Sequence, residues 1–155
     1  MHEVEVDAAV EAAEPWVAAL HADAMALLRA CELTDAELSV VLTDDPHIQA
    51  LNAQWRSKDA PTDVLSFPQQ EGDVSGGLLG DVVISISTAA RQAEDAGHAL
   101  HAELRVLLVH GLCHLLGYDH IEAGDRDLMR AEEARLLQAL AAGARGLVER
   151  AEVNG

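Results

Sequence analysis

Apolar residues recur along this chain at two spacings, and those spacings divide it into strands and helices. The stretch HEVEVD at 2–7 alternates polar and apolar residues, which suits a short edge strand or else a loose terminus. From Pro15 onward Trp16, Leu20, Ala24, Leu27, Leu28 and Cys31 recur at helical intervals, behind a proline fit for a first helical position. An amphipathic helix is predicted there, with Trp16 and Met25 facing the core. LSVVLT at 38–43 is β-branched and apolar, a strand, and Asp44, Asp45 and Pro46 supply an N-cap for a helix through HIQALNAQW.

TDVLSFP then reads as a second strand stopped by Pro68. The loop QQEGDVSGG leads to a third strand, LLGDVVIS, after which Ser87 and Thr88 open a helix. His101 to Leu116 form an apolar helix ended by Gly117, Asp125 to Leu140 form another, and the tail beyond Gly143 reads as frayed. The expected fold is α+β: a small mixed sheet of about four strands covered by helices, with a metal site at the end of a central helix.

The chain has 155 residues, half of them apolar, and shows no repeat or low-complexity linker, so one domain over 1–155 is expected. No run of eighteen apolar residues occurs, and the first ten residues are acidic where an export signal is basic. Neither a membrane nor export is expected. Cys31 and Cys113 do not make a disulfide scaffold, so a reducing cytoplasm fits best.

Twenty-seven acidic against ten basic residues give a formal net charge of −17. Such a field repels polyanions, so any contact with nucleic acid must run through a local basic site.

The segment HGLCHLLGYDH carries the candidate chemistry. His110 and His114 lie four residues apart, within about 40° on one helical face and about 6 Å apart along the axis, so both rings can reach one ion. Gly117 can turn the chain and return His120 as a third ligand. Three imidazoles leave a fourth position open, as in catalytic rather than structural zinc sites, and no CxxC pair argues for a structural one. A lone histidine is ordinarily a core or surface residue, and His2, His21, His47, His98 and His101 are read that way. Cys113 could offer a thiolate but is better read as a small core residue. Asp119 is a hydrogen-bond acceptor behind a ligand, a proton shuttle, or equally a solvated turn residue. The histidine spacing equals that of HExxHxxGxxH metalloproteases, yet Gly111 stands where those carry their glutamate base.

Three blocks, LNAQWRSKDAPTDVLSFP at 51–68, LLGDVVIS at 78–85 and VHGLCHLLGYDH at 109–120, make the chain resemble the YbeY family of bacterial endoribonucleases over nearly its whole length. The resemblance implies an α+β fold, a zinc-type site on His110, His114 and His120, a functional arginine at Arg56, and action on ribosomal RNA in maturation and quality control. It also implies small-subunit precursor RNA, and ribosomal proteins or assembly factors, as partners. The first forty residues and the alanine-rich C-terminus resemble the family only loosely.

Arg56 also suits the chemistry by itself, because a planar guanidinium can pair with two phosphate oxygens; with Lys58 it makes one of the few basic spots. Thr62, Asp63 and Ser66 either orient the loop, the favoured reading, or touch substrate, and Gly80 and Asp81 are read as strand-entry residues, with Asp81 as an acceptor behind a ligand the alternative. The mechanism expected is hydrolysis in which a divalent ion activates water and Arg56 steadies charge on phosphorus, with the native metal and the choice between water and a 2′-hydroxyl left open. Rival readings are a non-catalytic ribosome-assembly factor and a peptide hydrolase.

Overall fold

A computed structural model describes residues 2–68, 76–118 and 123–152. Strands β1 (Glu3–Ala8), β2 (Thr34–Thr43), β3 (Val64–Pro68) and β4 (Gly76–Ser85) form one mixed sheet in the order β1-β2-β4-β3. β1 runs parallel to β2 and β2 to β4, while β3 lies antiparallel to β4 at an edge. The helices are α1 (Val17–Ala30), α2 (Asp45–Arg56), α3 (Ile86–Ala96), α4 (Leu100–Leu115) and α5 (Ala123–Glu152). The α+β expectation holds, and the doubtful N-terminal strand is a true edge strand.

Several boundaries differ from expectation for local reasons. Pro15 lies inside a 3-10 turn, Glu11–Trp16, and α1 begins only after it. β2 starts four residues before Leu38, because Thr34, Ala36 and Glu37 pair with β4 across two register shifts, with Asp35 passed over at the first. α3 is capped by Ser85, whose hydroxyl accepts from Thr88 N–H, so Ser87 and Thr88 already lie inside it. α5 runs on through Glu152 instead of fraying after Gly143, in keeping with a stretch rich in alanine, leucine, arginine and glutamate. The loop 69–75 lies outside the described residues.

The sheet buries its two faces against different helices. One side, with Leu38, Val40, Leu42, Val82 and Ile84, joins Leu20, Leu27 and Leu28 of α1, Leu104, Leu108 and Leu112 of α4, and Met129 and Leu136 of α5. Each such fully buried leucine contributes about 1.5–3 kcal/mol. The other side, with Val41, Leu65, Phe67 and Val83, packs on Ile48 and Leu51 of α2, with the Trp55 ring against Phe67, and among the described residues is less fully covered. Period-two alternation along β3 and β4 therefore assigns neighbouring residues to opposite surfaces.

Buried polar ties lock the helices. Asp23 of α1 accepts from the Arg105 guanidinium and lies 2.8 Å from His101 Nε2 of α4, and Trp16 packs on the His101 ring. Met25 is half-buried outside the main core, short of the core role expected for it. His2 accepts from Ala36 N–H, His47 pairs with Asp44, His98 with Glu103, and His21 is exposed. All five histidines read as ordinary are so placed.

Candidate metal and phosphodiester site

The position of α4 on the sheet follows from one missing side chain. A Cβ on Gly111 would lie 2.7 Å from Val82 Cγ1 and 3.3 Å from Ser66 Oγ, so only glycine lets the helix settle this close to β3 and β4. Ser66 Oγ then donates to the Gly111 carbonyl at 3.1 Å. His110 and His114 lie roughly 60–100° around the helix from Gly111, on its flank. Gly111 thus faces the sheet, and a side chain there would point into Val82 instead of toward the imidazoles.

On that flank the two Nε2 atoms stand 3.2 Å apart, with ring centroids 4.7 Å apart. His110 Nδ1–H donates to Glu133 Oε2 of α5 at 2.7 Å. In a neutral ring the proton sits on Nδ1 for this bond, which leaves Nε2 unprotonated, the tautomer a metal needs. Two zinc–nitrogen bonds of about 2.0–2.1 Å at a tetrahedral angle separate their nitrogens by about 3.3–3.4 Å, so the pair fits a shared divalent ion.

α4 ends as the glycine implied. Gly117 takes φ +101, its N–H donates to His114 O, and Tyr118 N–H donates to Cys113 O, which closes the helix and turns the chain. His120 and Asp119, the third expected ligand and its neighbour, lie outside the described residues. Among the described residues no three histidine, cysteine, aspartate or glutamate side chains converge on one point. Cys113 is fully buried in the core cluster, and burial first, then Glu133 and Glu132, push its thiol up to about 12.

Arg56 is exposed at the last position of α2, and Lys58 follows in an exposed turn. The turn is held by buried Asn52, whose carbonyl accepts from Lys58 N–H and whose side-chain amide donates to Ala60 O. Ser57, in the left-handed region at φ +58, reverses the chain. Because α2 covers the face opposite α4, no hydrogen bond or ion pair joins Arg56 to either histidine among the described residues. Asp63 accepts from Val64 N–H and Gln92, and with Ser66 it fulfils the structural role expected of that loop. Gly80, at φ +139, sits where β4 shifts register against β2, and Asp81 follows on the α2 side.

Two participants escaped the sequence reading. Glu133 lies in an ordinary charged stretch of α5, with nothing local to mark it. Gly111 departs from the protease pattern, but its packing role depends on the sheet being in place.

A family model described as Endoribonuclease YbeY matches residues 3–141. A protein named Endoribonuclease YbeY from an Anaeromyxobacter species is 53% identical over 120 residues, covering 77% of this chain and 62% of its own length. The chain thus spans less than two thirds of that relative. A protein of the same name from Heliobacterium modesticaldum is 44% identical over 146 residues, covering 86% of this chain and 88% of its own. A solution structure from Thermotoga maritima superposes with a TM-score of 0.69 at 24% identity, covering 98% of both chains, and shares the fold. No helix among the described residues is long and apolar enough to cross a membrane. With a family match across nearly all of the folded chain and relatives near half identity, this chain belongs to the Endoribonuclease YbeY family.

Proposed function

We propose that the chain is a metal-dependent endoribonuclease that cuts single-stranded RNA during maturation and quality control of ribosomal RNA, acting as one cytoplasmic domain. Family membership supports the reaction class. The observation that carries the metal site is the 3.2 Å approach of His110 and His114 Nε2, with His110 oriented by Glu133.

His110, His114 and His120 are assigned as ligands, and zinc as the ion, since neutral imidazoles suit it. Bound there, a divalent ion supplies Lewis acidity toward a phosphodiester. Glu133 keeps the His110 proton on Nδ1 and the ring fixed in orientation. Arg56, on the α2 side of the sheet, is assigned to hold the RNA strand by its phosphate oxygens. A net charge of −17 makes long RNA contacts unfavourable, so docking to precursor small-subunit RNA relies in part on ribosomal proteins or assembly factors.

Peptide hydrolysis is the weaker reading. The glutamate base of proteases with this histidine spacing would occupy position 111, where the backbone lies against Val82.

The test is cleavage of single-stranded ribosomal RNA fragments by untagged protein, with and without chelator, beside His114→Ala. Products that vanish with chelator and in the variant are expected. Undiminished cleavage by metal-free protein refutes the assignment, and RNA binding without chelator-sensitive products identifies a binding factor instead.

A further inference from the structure

On the α2 side of the sheet a groove of about 650 Å³ is lined by Val41, Leu51, Trp55, Phe67, Asp81 and Val83. It falls within the about 300–1,000 Å³ range of small-molecule sites. The chain has only four Trp, Tyr and Phe residues, and two of them meet here: Trp55 and Phe67 rings touch edge to face at 6.3 Å. Trp55 keeps 62% of its surface exposed. A large apolar ring left in solvent beside an incompletely covered sheet face calls for an occupant.

The charges beside the groove say which. Between Arg29 and Arg91 the only lysine or arginine residues are Arg56 and Lys58, directly after Trp55. Arg91, Arg105 and Arg135 are engaged by Asp45, Asp23 and Glu132, whereas Arg56 and Lys58 make no ion pair among the described residues. The groove itself is lined chiefly by apolar side chains. A flat uncharged group in the groove, joined to an anionic backbone passing the two cations, matches this layout, and that is the pattern of single-stranded nucleic-acid subsites.

We infer that Trp55 and Phe67 form a subsite that stacks one unpaired base of a single-stranded RNA whose neighbouring phosphate is held by Arg56 and Lys58. The inference rests on the endoribonuclease reading for its ligand class. Ser66 and Val82 face α4 while Phe67 and Asp81 face α2, so the stacked base and the histidine pair lie on opposite faces. An RNA strand that engages both passes around the edge strand β3.

The experiment is fluorescence anisotropy of the intact protein with short single-stranded 2′-O-methyl RNA, titrated against salt. Trp55→Ala is expected to weaken binding about 5- to 150-fold, the cost of one lost base stack, and Trp55→Phe to restore most of it. Arg56→Ala should instead lower the salt slope by about 0.7, one phosphate contact. Removing one base from the oligonucleotide should weaken the wild type by a similar factor, and cost nothing further in Trp55→Ala. Because Trp55 is exposed, the variant folds, which circular dichroism confirms. Unchanged affinity in Trp55→Ala, as when a peptide segment is the true occupant, overturns the subsite even if cleavage is intact. Binding that depends on Trp55 without chelator-sensitive cleavage leaves the subsite standing and removes the nuclease.

Discussion

His110 and Glu133, brought together from α4 and α5, meet through a 2.7 Å hydrogen bond that fixes which ring nitrogen of the histidine faces His114. Replacing the carboxylate frees the ring to turn and removes the bond that keeps its proton on Nδ1. Glu133→Ala is expected to lower zinc affinity about 10- to 100-fold. Competition with a chromophoric chelator reads this without any activity assay. Wild-type affinity in the variant would show that the carboxylate does not align the ligand.

Gly111→Ala should destabilise the protein although alanine is the better helix former by about 1 kcal/mol. The new methyl falls 2.7 Å from Val82 Cγ1, and overpacking of this kind costs about 1–3 kcal/mol beyond what propensity returns. Urea midpoints measure the loss, and Val82→Ala in the same chain should recover most of it. A variant as stable as wild type would mean that helix and sheet are not held this close.

Acid sensitivity should depend on Asp45. Partial burial pushes its pKa up, but the Ser85 and Thr88 hydroxyls and the Arg91 guanidinium outweigh this and hold the carboxyl below its usual value. The folded state therefore favours the ionised form. The stabilisation is full above the unfolded value of about 3.9 and is lost as pH falls through the lower folded value. Asp45→Asn is expected to cost about 1–2 kcal/mol at neutral pH. The gap between wild type and variant should narrow on acidification below about pH 4, measured by urea unfolding at each pH. A gap that stays constant would rule out this linkage.

The elements were legible because their signals are local. A helix face such as Leu20, Ala24, Leu27 and Leu28, an aspartate cap at Asp44 and a glycine stop at Gly117 each depend on residues within a few positions, and the structure has all three. The His110–His114 pair was legible for the same reason, since four residues make just over one helical turn. By contrast, the early start of β2 depends on its pairing with β4, which no window of its own sequence contains.

By itself, then, the amino-acid order determined the α+β plan, the family and the placing of two imidazoles on one helical flank. Only the tertiary structure decided that Glu133 orients His110, that Gly111 is a packing necessity, and that Trp55 and Phe67 share a groove across the sheet from the histidines. Each of these joins residues from separate elements. Such contacts are selected by the closure of the core and the alternation of sheet faces, long-range events that leave no periodic trace in the chain.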